Sequence, residues 1–423
     1  MSTFDPKVVD ALTGEILRAG PICDECLGRV AARLGTGLSN AERGRRMRAH
    51  VQMGHRATAP DTCWVCDGAF TEVDRWAERA VQRVADVEFA TYLFGVKLTA
   101  KQEQMEAFYQ ERFPSPHRES FKHSLNRALG VAFERRLSHS ATVDFSDPHT
   151  AFVVDLAARR LSVHIRSLYL YGRYRKLQRG IPQTKWPCRA CGGRGCEACA
   201  FTGKQYPTSV EEQIGEPLQT LARAEGIRLH GAGREDIDAR MLGDGRPFVL
   251  ELLAPQRRAI DLNGADERIR EHAAGAVEIG TLRFVNRRAV KLVKAIRARK
   301  RYRAQVGLDE PVTPDALMAA VASLVGDVAQ RTPRRVAHRR ADLVRHREVF
   351  AASGSLQSAT AATVEVDGDG GLYIKELISG DDGRTQPNLA ERLGVRARVT
   401  ELDVLAVDAA DLPHEMELAS GLS

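Results

Sequence analysis

The sequence predicts an α+β protein of more than one domain, and three observations carry that expectation. At 423 residues the chain exceeds what one ordinary core holds. From about residue 69 to 135 the apolar residues recur at helical spacing, as in DRWAERAVQRVADVEFA and SLNRALGVAFERRL. From Ala141 the pattern alternates instead, in ATVDF, AFVVDLA and LSVHIRSLYLYG, with turn residues between. From about Ser209 onward, strand and helix patterns mix in hairpin-rich order.

Element by element, Asp5-Pro6 signals a helix start and Gly20 its end, around VVDALTGEILRA. CDECLGR and CWVCDG follow, then the helical stretch and the strands. Gly226-Ile227-Arg228-Leu229-His230 reads as a short strand and Pro247 to Leu253 as a second, with Gly243-Asp244-Gly245 reversing the chain between them. Arg287 to Arg303 (RRAVKLVKAIRARKRYR) reads as a helix, with Val290, Val293 and Ile296 inward and Arg287, Lys291 and Lys294 outward. Residues after Leu412 read as an acidic, frayed tail.

Composition sets the function classes. Hydrophobic residues make up 43% and charged residues 28%, as in a folded globular protein and not a disordered one. No run nears the ~18 apolar residues a spanning helix needs, and MSTFDPKVVD has no signal-peptide core, so an intracellular protein is expected. The net charge of +7, with basic runs at 287–303 and 331–347, favours a polyanionic partner.

All eight cysteines fall in CxxC pairs: Cys23/Cys26, Cys63/Cys66, Cys188/Cys191 and Cys196/Cys199. In an intracellular chain that spacing points to metal, not disulfides. The first two pairs should close one structural zinc site, and CRACGGRGCEACAFTG should form a compact knuckle. Four thiolates fill a tetrahedral zinc sphere, leaving no position for water or substrate, so neither site is expected to be catalytic.

The run GAGREDIDAR, Gly231 to Arg240, holds Asp236 and Asp238 beside Arg234 and Arg240. A carboxylate at a hairpin mouth near a cation stays ionised, as a carboxylate nucleophile must. A dinucleotide or S-adenosylmethionine loop is the alternative, with Glu251 at the ribose position. Asp236 occupies its third glycine position, and there is no room for a crossover helix.

GAGREDIDARMLGDGRPFVLEL resembles the active-site segment of the archaeal tRNA pseudouridine synthases that modify T-loop uridines 54 and 55. So do IRSLYLYGRYRKLQRGIPQT, Ser209-Val210-Glu211-Glu212, QRTPRRVAHRRADLVR and GLYIKELISGDDGRT, in the family's order over nearly the whole chain. The resemblance implies an N-terminal helix and zinc-binding region at 1–68 and a THUMP-like RNA-binding module at 69–180. A cysteine knuckle would follow at 181–205, then a mixed, mainly antiparallel pseudouridine synthase domain at 206–423. It makes Asp236 the initiating carboxylate, with Asp238 its rival, and no cofactor enters the chemistry. A flipped-out base needs an aromatic face, and the resemblance assigns that to Tyr302 and Tyr373. Strand alternation would put Lys375 on the face of Tyr373, pairing with Asp236. Arg234 and Arg384 are further substrate-binding candidates. Arg173, Arg175, Lys176, Lys291 and Lys294 are candidates for the RNA backbone. His230 and His338 read as structural or phosphate-contacting. The expected protein is a cytoplasmic monomer acting on tRNA without a catalytic cofactor; a non-catalytic zinc-bearing tRNA- or rRNA-binding factor is the other reading.

Overall fold

A computed structural model describes residues 4–51 and 59–423. Residues 1–3 and 52–58, part of the expected zinc-bearing region, lie outside the described residues. The chain divides into two compact units, one ending at Arg166 and the other running Ser167–Gly421.

In the first unit, helices α1 (Asp10–Ala19), α2 (Asp24–Gly28), α3 (Asn40–Val51) and α4 (Val73–Arg83) precede strand β1 (Thr91–Lys97). Helices α5 (Ala100–Arg112) and α6 (Phe121–Glu134) follow, then β2 (Thr142–Val143), β3 (Thr150–Asp155) and β4 (Arg160–Ile165). The sheet order is β2-β1-β3-β4, with β1 parallel to both neighbours and β4 antiparallel to β3. Asp5 accepts from Lys7 N–H at the predicted helix start. Thr99 and Gln102 form a reciprocal capping box that starts α5. Phe94 and Phe152 stack at 4.7 Å across β1 and β3, against Phe133 of α6. Each fully buried Phe contributes roughly 1.5–3 kcal/mol. β1 lies inside the stretch read as helical: Tyr92, Phe94 and Val96 alternate inward, and period two overrides the helical reading.

The second unit begins with β5 (Leu168–Lys176), α7 (Val210–Ala222), β6 (Gly226–Gly231), β7 (Ala239–Leu253), α8 (Ala265–Ala273), β8 (Val277–Ile279) and β9 (Arg283–Val285). It continues with α9 (Arg288–Ala295), β10 (Arg299–Leu308), α10 (Pro314–Ala322), β11 (Gly326–Arg331), β12 (Val344–Ser358) and β13 (Ala361–Gly368). Last come α11 (Ile374–Ser379), β14 (Thr385–Gln386), α12 (Leu389–Leu393) and β15 (Ala397–Asp408). The sheet path is β14-β11-β12-β13-β10-β15-β7-β5-β8, with β6 also on β7 and β9 on β5. Pairing is antiparallel except where β15 meets the start of β7. Helices α7, α8, α10 and α11 supply apolar side chains to the core that backs this sheet.

Several expectations change. The boundary placed near residue 180 falls at Arg166/Ser167, because β5 pairs along β7 in the second unit's sheet. Gly243-Asp244-Gly245 is no hairpin turn but an irregularity inside one long strand. A Cβ at Gly243 would sit 2.1 Å from the Leu405 carbonyl oxygen, so the bulge requires glycine there. The basic 287–303 run is helical only to Ala295 and then becomes β10, whose inward residues at 302, 304, 306 and 308 follow period two. GLYIKE is a helix start, not a strand. The tail is not frayed: Leu412 and Met416 are buried against Tyr169, Tyr171 and Val285. No helix among the described residues is long and apolar enough to cross a membrane.

Candidate active site and metal centres

Antiparallel β6 and β7 are joined by residues 232–238, and this loop is fastened from beneath by the residue beside the expected nucleophile. The Glu235 side chain is fully buried. It accepts from Arg246 Nε at 2.8 Å and from Tyr174 Oη at 2.8 Å. Gln183 Nε2 donates to that hydroxyl at 2.8 Å and to Gly233 O at 3.0 Å. Arg246 Nη1 donates to Ala232 O at 2.7 Å. Lys176 Nζ donates to the carbonyls of Ile181, Asp236 and Ile237 at 2.8–3.1 Å. Burial pushes the Lys176 ammonium below the usual lysine range and the Tyr174 hydroxyl well above the usual tyrosine range. Lys176 is therefore a buried loop anchor, and its reading as an RNA-backbone contact is corrected.

Above this support the Asp236 carboxylate is about a third exposed (31%). Arg335 Nη1 donates to it at 3.1 Å, and Lys375 Nζ lies 3.5 Å away. Arg335 also holds Glu376 at 2.7 Å. Lys375 binds Asp238 more closely, at 2.7 Å, so the expected Lys375–Asp236 pair is one arm of a three-residue cluster. Burial opposes charge on Asp238, but the Lys375 hydrogen bond and charge prevail and hold its carboxyl below the usual range. Lys375 reaches these groups from the first turn of α11, with Tyr373 at the N-cap.

The cation expected from Arg234 comes from Arg335, far along the chain on the loop between β11 and β12. The Arg234 guanidinium instead lies 5.0 Å from the centre of the Trp186 ring. Tyr302, on β10, is 8% exposed, and burial pushes its hydroxyl up to about 12. Tyr373 accepts from Arg340 at its hydroxyl (3.3 Å), and the Arg335 guanidinium lies 5.9 Å from its ring centre. Gln330 clamps the Tyr373 backbone, accepting from its N–H at 2.8 Å and donating to its carbonyl at 3.0 Å.

Other candidates are engaged within the protein. Arg384 donates to Thr332 O and Asp342, both at 2.7 Å. Arg173 donates to the Gly245 and Ala409 carbonyls, and Arg175 pairs with Glu278 at 2.5 Å. His230 meets Glu251 at 3.0 Å, as a structural histidine would. Arg240 forms a two-pronged pair with Asp403 at 2.7–2.8 Å. Lys291 and Lys294 are exposed on α9, and His338 is exposed between β11 and β12.

Sequence reasoning missed Glu235, Arg246, Arg335 and Lys300. The signal for Arg246 was a cation directly before the apolar run Pro247–Leu250. Lys300 precedes Tyr302 by two positions on β10 and is pushed down to about 8, first by burial and then by Arg246.

Both cysteine groups assemble. Cys23, Cys26, Cys63 and Cys66 form one cluster, and Cys188, Cys191, Cys196 and Cys199 another; within each, all sulfurs lie within 4.8 Å of one another. Tetrahedral ligands about 2.3 Å from a zinc ion stand about 3.8 Å apart. Cys23 and Cys66 are 3.7 Å apart, and Cys191 and Cys199 3.9 Å, so each set fits such an ion. In the knuckle, N–H groups of Gly195, Cys196 and Gly203 donate to sulfur at 3.2 Å, as suits thiolates. A Cβ at Gly203 would meet the Gly193 carbonyl oxygen at 2.3 Å, which fixes glycine there.

Comparison with known proteins decides the family. The family model described as "Pus10, C-terminal" matches residues 169–408, and "Pus10 THUMP domain, archaeal" matches 76–155. The chain belongs to the Pus10 family. A Pus10 protein of Halorubrum lacusprofundi, named tRNA pseudouridine synthase Pus10, is 46% identical over 94% of this chain and 96% of its own. Its namesake in Methanothrix thermoacetophila is 43% identical over 94% of each chain. In Methanocaldococcus jannaschii the Pus10 protein is 35% identical, again over 94% of each. The Pus10 C-terminal match opens at Tyr169, inside β5, and so agrees with the structural division rather than with residue 180.

Proposed function

We propose that the chain isomerises uridine to pseudouridine in tRNA, at T-loop positions 54 and 55, with Asp236 starting the reaction. The observation that carries this reading is the placement of Asp236. It stands partly exposed on a loop fixed from below, between the cationic ends of Arg335 and Lys375. The N1–C1′ bond breaks, the uracil turns, and a C5–C1′ bond forms while the C5 proton is lost and N1 gains one. Nothing is oxidised or transferred, so no cofactor enters the chemistry. Attack at C1′, attack at C6 and a glycal route all begin from an ionised carboxylate, and Asp236 supplies it in each. Tyr373 and Tyr302 offer aromatic faces for the displaced base, and Lys375 and Arg335 counter charge at the carboxylate. Arg234 and Arg384 bind near the substrate, and Arg173, Arg175, Lys291 and Lys294 contact the RNA backbone. Both four-cysteine groups hold zinc with a structural role, in a cytoplasmic monomer.

The test is incubation of the purified protein with unmodified tRNA and no added cofactor, followed by chemical mapping of pseudouridine. New pseudouridine at both T-loop positions supports the reading. Tight RNA binding with unchanged uridine would replace it with a non-catalytic RNA-binding factor.

A further inference from the structure

The first unit, which does not carry the aspartate loop, contains a cavity of about 770 Å³. Arg33 and Arg43, before and on α3, line one part; Arg118 and Arg127, before and on α6, line another. Glu119 is the one carboxylate in the lining, and His123 lies 3.5 Å from it. Four arginines thus face a shared space with one carboxylate. Glu119 is already held by Arg127 at 2.7 Å and by Asn40 at 2.6 Å.

The remaining arginines make no direct ion pair among the described residues, although Glu119 and Glu42 act on Arg43, and Glu106 on Arg118, from further away. Arg43 donates to three neutral acceptors, the carbonyls of Leu34, Gly35 and Leu38. Arg118 donates to the Phe113 carbonyl and lies 4.5 Å from the centre of the Tyr109 ring. Its Nη1 is buried and has no hydrogen-bond partner among the described residues. Arg33 is exposed and forms no side-chain ion pair among the described residues. Burial, then the neighbouring Arg127 charge, lowers Arg43; burial likewise lowers Arg118, with Arg29 adding to it. Cations held this close repel one another, and a multiply charged anion between them would relieve that. Planar guanidinium groups presenting paired N–H donors match the oxygens of a phosphate.

We propose that this cavity is a phosphate-binding site, built jointly by the α3 region and the α5–α6 segment. It rests on the charge and shape of the cavity, and it stands or falls separately from the isomerase reading. The phosphate belongs to a polynucleotide backbone or to a small phosphate compound, two sources that experiment separates.

The experiment uses the full-length, metal-loaded protein, with inorganic phosphate titrated by calorimetry and a labelled oligouridylate followed by anisotropy. Two substitutions shift the charge in opposite directions. Arg33→Glu, at an exposed position, should weaken phosphate binding about tenfold, whereas Glu119→Gln should tighten it about threefold. A general loss of folding cannot produce opposite signs. If the oligonucleotide displaces phosphate and loses affinity in Arg33→Glu, the source is polynucleotide backbone. If phosphate binds but the oligonucleotide neither competes nor responds to Arg33→Glu, the source is a small phosphate compound. Absence of measurable phosphate binding to the wild type, or affinities unchanged in both variants, would overturn the proposal.

Discussion

Glu235 and Asp236 are adjacent carboxylates in one loop, and the chain puts them to opposite uses. Glu235 is fully buried and saturated by Arg246 and Tyr174; Asp236 is partly exposed, at the edge of a cluster with Arg335, Lys375 and Asp238. The underside gives the loop one conformation. The upper side leaves one carboxylate reachable beside two cations. A buried pair is costly to break from one side, because the surviving charge is stranded; an exposed pair contributes little to stability and can be altered for its chemistry alone.

The contrast can be broken from either side. Glu235→Ala strands Arg246 and should cost about 3–5 kcal/mol of unfolding free energy, measurable by urea titration. Asp236→Asn should leave the urea midpoint almost unmoved while removing isomerisation. If both variants lose stability equally, the two sides of the loop are not distinct. Next in size, Lys375→Met should lower the single-turnover rate more than Arg335→Ala, because Lys375 joins both aspartates whereas Arg335 divides its contacts between Asp236 and Glu376. Roughly tenfold for Lys375→Met and a few-fold for Arg335→Ala are expected, at the scale of one charge-assisted hydrogen bond. An equal or reversed order would show that Arg335 sets the charge at Asp236.

A smaller effect concerns the cysteine groups. Cys26, Cys63 and Cys66 belong to the first unit's buried core, while the knuckle's Cys196 and Cys199 are only partly buried. A chelator should therefore lower the melting temperature of the first unit more than that of the second, with calorimetry resolving the two transitions. A pH-dependent effect is expected at Lys300, whose ordinary value of 10.5 is pushed down to about 8 by burial and Arg246. Between those values the unfolded chain binds more protons at this site than the folded one, so stability from this residue rises as pH rises from about 8 toward 10.5. Wild type minus Lys300→Met should show that upward slope. A flat difference would remove the proposed burial cost at Lys300.

Local signals made the α+β class, the cysteine groups and the Asp236 loop legible. CxxC spacing brings sulfurs together through short turns, and GAGREDIDAR spans the link between a short strand and one containing the apolar run PFVLELL. The partners of Asp236 were harder to read. Arg335 arrives from a loop 99 positions further along, and no periodicity links 236 to 335. Arg234, two positions from Asp236, was the nearer choice by sequence, but its guanidinium lies over Trp186. The helix read across 287–303 failed at its end for a similar reason: β10 is set by its pairing with β13 and β15, with Arg299 and Arg303 ion-paired to Asp367 and Glu365 of β13, and these partners are distant in sequence. Lys176 was misread because a lysine in a basic run looks solvent-facing, yet three carbonyls hold it in the interior.

In the proposed reaction Asp236, and not its neighbour Asp238, acts first. Single-turnover conversion of prebound tRNA by Asp236→Asn and Asp238→Asn, measured side by side, tests it most directly. No pseudouridine is expected from Asp236→Asn, with RNA affinity retained, and product is expected from Asp238→Asn at a rate within about tenfold of wild type. Product from Asp236→Asn, with Asp238→Asn inactive, would contradict it.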